Sequence, residues 1–62
     1  MKRIEIRGPK GHVIRVEETP DGRDYRVVRR DAKDTATLET WAARSLSGAL
    51  VLAWALATGE IP

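Results

Sequence analysis

The chain has 62 residues, no cysteine, a single histidine and a formal net charge of +2. This length allows one domain, residues 1–62, and the composition excludes disulfides, thiolate zinc sites and any site needing a pair of histidines. A domain this small buries only roughly 60% of its unfolded surface, so a partner subunit is the expected source of additional stability.

Charge divides the chain in two. Residues 1–34 hold ten lysines and arginines against seven acids, whereas residues 35–62 hold only Glu39, Arg44 and Glu60. The overall charge is too small to mark a nucleic-acid binder by itself.

The first element, KRIEIRG, alternates strictly, with Ile4 and Ile6 on one face and Arg3, Glu5 and Arg7 on the other. Period two with β-branched residues predicts a half-buried strand. HVIRVEE repeats the pattern, with Ile14 and Val16 opposed to Val13, Arg15 and Glu17. Pro9-Lys10-Gly11 between them suits a three-residue hairpin loop with a left-handed glycine. The implied register pairs Ile6 with Ile14, Ile4 with Val16 and Glu5 with Arg15.

TPDGRD predicts a second turn, and DYRVVRR a third strand. Two registers are open. A three-residue loop places Val28 on the face of Ile14 and Val16. A four-residue loop ending at Arg23 places Tyr25 and Val27 there instead. The second separates apolar from charged side chains better and is the expected one, since one residue of slip inverts every side chain. Residues 1–30 therefore read as a three-stranded antiparallel meander. Its outer face carries Arg3, Arg7, Arg15, Arg26 and Arg30 with Glu5 and Glu17.

Residues 34–58 read as one long helix covering that sheet, which makes the fold α+β. Asp34 or Thr35 could cap it, Gly59 ends it, and Pro62 bars its continuation. Leu38, Trp41, Ala42 and Ser45 form an apolar stripe in its first half. Gly48 is the position where it would kink or break. From Ser45 to Gly59 there is no charge at all. Small residues recur every fourth position at Ser45, Ala49, Ala53 and Ala57, a ridge that lets a second helix approach closely. With Leu52 and Leu56 beside it, this ridge is the expected interface of a homodimer or higher oligomer. The uncharged stretch is about 22 Å long as a helix, short of the ~30 Å of a bilayer core, so a membrane anchor is not expected. Without a recognisable targeting segment the expected compartment is the cytoplasm.

No catalytic or cofactor site is expected. His12 has no relay partner, and Ser45 and Ser47 have no histidine near them in the pattern. Glu17, Glu18, Asp21 and Asp24 lack calcium-loop spacing, and GPKG leads into a strand where a phosphate loop leads into a helix. The chain reads as a non-enzymatic module that self-associates and docks a macromolecular partner, in the manner of inhibitors and adaptors encoded by viruses or mobile elements. Two alternatives rest on the arginine face: strands reading nucleic acid, or subunits enclosing a small anionic ligand.

Overall fold

A computed structural model describes residues 3–61. Four strands and one helix follow in order: β1 (Arg3–Arg7), β2 (Val13–Glu18), β3 (Tyr25–Arg30), β4 (Thr37–Ala43) and α1 (Leu46–Thr58). The strands form one antiparallel sheet in the order β1-β2-β3-β4. The α+β class and the C-terminal helix agree with the sequence pattern; the sheet has a fourth strand where the first half of a long helix is expected.

The first hairpin has the expected register, with Ile6 opposite Ile14, Ile4 opposite Val16 and Glu5 opposite Arg15. Gly11 takes φ +80° and donates to Gly8 O at 3.0 Å, which closes the Pro9-Lys10-Gly11 loop. Val16 pairs with Val27 and Glu18 with Tyr25, so the four-residue loop and its register hold for β3 as well.

The turn after β3 reproduces the turn before it. Thr19 N donates to Asp24 O at 3.0 Å, and Asp31 N to Ala36 O at 3.0 Å. Gly22 N donates to Thr19 O at 2.8 Å, and Asp34 N to Asp31 O at 2.9 Å. The left-handed position is Gly22 in one (φ +74°) and Asp34 in the other (φ +56°). Asp34 and Thr35 therefore build a reverse turn and cap no helix. Side chains complete both turns: Thr19 Oγ1 donates to Asp21 Oδ1 at 2.6 Å, and Thr35 Oγ1 to Asp31 Oδ2 at 2.7 Å.

β4 then returns along β3, pairing Trp41 with Val27 and Ala43 with Tyr25. A bulge leaves Leu38 between the Arg29–Glu39 and Arg30–Thr37 pairs. The stripe Leu38, Trp41, Ala42 and Ser45 is thus not a helical face. Glu39, Trp41 and Ala43 alternate inward along a strand, while Leu38, Thr40 and Ala42 are exposed.

Ser45 is the N-cap of α1, with Oγ accepting from Gly48 N at 3.1 Å. Gly48 falls in the first turn, where it serves the cap and breaks nothing. Gly59 (φ 81°) forms the C-cap, and Glu60 N donates to Ala55 O at 2.9 Å, closing the helix in a left-handed cap. Pro62 lies outside the described residues, as does Lys2.

One core joins the sheet to the helix. Ile14, Val16, Val27, Ala49, Ala53 and Leu56 are buried, with Ile6, Tyr25, Trp41, Leu52, Ala57 and Ile61 packed against them. Ala49 and Ala53 carry no bulk, so the helix axis settles close over the middle strands. Among the described residues no helix is long and apolar enough to cross a membrane.

Candidate interaction surfaces

The register places Arg3, Arg7, Arg15, Arg26 and Arg30 on the face opposite α1, as the alternation implies. Two valines share that face and are nevertheless buried, Val13 and Val28. Val13 lies between Arg7 and Arg30, and Val28 is the cross-strand partner of Arg15. Arginine stems can cover such apolar residues while the guanidinium groups find polar partners.

Those groups are held by the β3–β4 turn. Arg7 Nη1 donates to Gly11 O and to Ala32 O, each at 3.0 Å. Arg15 Nη2 donates to Asp34 Oδ2 at 2.8 Å and to Glu5 Oε2 at 3.2 Å. Arg30 bonds Asp34 through Nε, reaches Asp34 O at 3.1 Å, and donates to Thr37 Oγ1 at 2.7 Å. Asp34 thus bridges two arginines from neighbouring strands. Partial burial works against the charge on Arg15, but its bonds to Asp34 and Glu5 outweigh this and raise its pKa. The bond from Arg30, with that from Arg15, holds the Asp34 carboxyl below the ordinary carboxylate range. Counting Asp34, the face holds five arginines against Glu5, Glu17 and Asp34, a net +2. Arg3 and Arg26 flank Glu17 across the strands and are exposed.

The helix side carries a second polar cluster that the sequence pattern does not reveal. Arg29 Nε donates to Glu39 Oε1 at 2.6 Å, and the Arg29 guanidinium lies 5.8 Å from the Trp41 ring centroid. The pair is cross-strand and depends on β4, so it becomes visible only once β4 is recognised as a strand.

The expected oligomer ridge is placed differently. Ala49, Ala53 and Leu56 face the chain's own sheet and are buried; Leu52 and Ala57 are half-buried against the same core. Ser45 is occupied as the cap. The reading of this ridge as an intersubunit surface is therefore corrected: a ridge of small residues admits a close neighbour, and here the neighbour is the sheet.

No family model matches this chain. No curated protein and no solved structure matches it either.

The outward side of α1 is the more unusual surface. Leu46 is 40% exposed, Leu50 36%, Val51 71% and Trp54 65%. Residues 46–58 contain no charged side chain. Ser47, Val51, Trp54 and Thr58 follow a spacing of four, three and four, which places them on one line opposite Ala49 and Ala53. Leu46 and Leu50 lie to one side of that line. Leu46 also borders a groove of about 380 Å³ lined with Arg3, Ile4, Val16, Glu18 and Tyr25. Among the described residues no group of three or more histidines and acids could hold a metal ion. His12 lines a second groove, beside Gly8, Pro9, Lys10, Arg29 and Ile61.

Proposed function

We propose that this chain is a non-enzymatic interaction module that self-associates through the outward face of α1 and, once assembled, docks a macromolecular partner. The observation that supports this reading is the exposure of Leu46, Leu50, Val51 and Trp54 on a helix without charge. A contiguous apolar face of this kind in a small domain marks an interaction surface. The aromatic residue at its centre is of the type that dominates interface energetics. The arginine face lends less support to a nucleic-acid function, because Arg7, Arg15 and Arg30 are held by bonds within the chain.

Sedimentation velocity across a concentration series tests the reading. The wild-type chain is expected to gain mass above a monomer as concentration rises. Val51→Glu and Trp54→Lys are expected to remain monomeric with unchanged circular dichroism, because neither side chain contributes to the protomer's core. A wild-type chain that stays monomeric to millimolar concentration ends this reading.

A further inference from the structure

The charges bounding α1 assign a direction to the self-association proposed above. Arg44 and Glu60 are both exposed, and they are the only charged residues after Glu39. Arg44 stands eight positions before Leu52 and Glu60 eight positions after it. Their signs are the reverse of what the helix itself favours. Acids stabilise a helix N-terminus and bases a C-terminus, yet α1 has no acid in its first turn and no base in its last. A cation precedes the helix and an anion follows it.

We propose that two copies pack α1 against α1 antiparallel, about a two-fold axis beside residue 52, with Arg44 of each copy meeting Glu60 of the other. This inference rests on the self-association reading and specifies its geometry. In this pairing, Leu50 of one copy lies beside Trp54 of its partner, and the reciprocal contact repeats it. Each helix start receives the partner's acid and each helix end the partner's base. A parallel pair would instead set Arg44 against Arg44 and Glu60 against Glu60. An uncharged face is also self-complementary without cost, which a two-fold contact requires. A standard interface takes roughly 800 Å² from each partner, about a fifth of the 4228 Å² of this chain. A single helical face lies at the small end of that range, so the dimer is expected to be weak, with a Kd on the order of micromolar or higher.

The absence of cysteine makes the geometry directly testable by crosslinking. With ~1.5 Å rise per residue, position 51 lies ~3 Å along the axis from its symmetry mate. Position 47 lies ~15 Å from its own mate and position 58 ~18 Å from its own. A disulfide needs Cα atoms within ~7 Å. Val51→Cys is expected to crosslink with itself under mild oxidation. Ser47→Cys alone and Thr58→Cys alone are expected to stay uncrosslinked, and the two mixed are expected to crosslink to each other. Self-crosslinking of both Ser47→Cys and Thr58→Cys, with none between them, would mean a parallel dimer and overturn the proposal.

Charge reversal gives a second measurement. Arg44→Glu or Glu60→Arg is expected to raise the dimer Kd at least tenfold, and the double reversal to return it to within about threefold of wild type. Equal Kd values for wild type and both single reversals also overturn the proposed orientation. A monomeric wild type overturns self-association itself, so the two failures are distinguishable.

Discussion

At Asp34 a residue with a side chain takes the left-handed backbone that Gly22 takes in the equivalent turn. Glycine does so freely, whereas any Cβ adds a steric cost that aspartate tolerates better than most residues. The carboxylate compensates by gathering Arg15 and Arg30. Asp31 and Asp21 act within their own turns, and both lie below the ordinary carboxylate range. Asp31 is lowered by the Thr35 N–H and hydroxyl, and Asp21 by the Thr19 hydroxyl and the Arg23 N–H. Carboxyls depressed in the folded state stabilise it fully above their unfolded pKa of about 4. That contribution is lost as pH falls through the folded values. The melting temperature is therefore expected to be level from about pH 7 to 5 and to drop below pH 4. Asp34→Asn should lower it at neutral pH and flatten the acid limb. Parallel curves for the two proteins would remove Asp34 from this account. The sequence conceals this residue's role, because the same turn is signalled by Pro-Asp-Gly at 20–22 and by no glycine or proline at 32–34.

Elements with alternating β-branched residues are legible in the sequence, and β4 is not. Residues 4–6 and 14–16 fix their strands and register by local pattern, whereas the adjacent Val27 and Val28 leave two registers open for β3, and the one that better separates apolar from charged side chains is the one formed. TLETWAA is compatible with both periods, since Leu38, Trp41, Ala42 and Ser45 also fit a helical stripe. Its conformation is decided by the contact of Trp41 with Val27, fourteen positions away in the chain. The small residues of α1 are equally ambiguous, because a ridge of alanines suits a sheet as well as a second helix. Ala53 is fully buried against the sheet. Ala53→Leu is accordingly expected to cost about 1–3 kcal/mol by overpacking. Ala53→Glu should unfold the protomer, visible as loss of helical circular dichroism at every concentration. A folded Ala53→Glu protein would mean that the helix is rotated from the orientation described.

The whole molecule is a two-layer sandwich with one layer incomplete. Neighbouring strands lie ~4.8 Å apart, so four span roughly 14 Å, while a helix with its side chains is about 10–12 Å across. One helix covers the middle of the sheet and turns an equally apolar back to the surroundings. The sequence announces this division of labour: no charged residue falls between Arg44 and Glu60, the stretch that holds the helix. The outward side of that helix is not legible in the sequence, because an all-apolar segment gives no moment to orient it. If association covers the outward side of α1, thermal stability is linked to it by mass action. The melting temperature should then rise with protein concentration, and Trp54→Lys should abolish that rise.

The order of the sheet also governs how the chain reaches it. Each strand pairs with its neighbour in sequence, and β2, β3 and β4 begin twelve residues apart at Val13, Tyr25 and Thr37. Closing such short loops costs little entropy, and topologies made of local contacts fold fast for their class. A thirteen-residue helix is marginal by itself in water. The sheet therefore provides the surface on which α1 forms, across a link of only Arg44 and Ser45. In a chain emerging from synthesis, this apolar segment follows the strands that receive it, so they are already available when it appears. The interval in which residues 46–58 have nothing to bury against is thereby kept short.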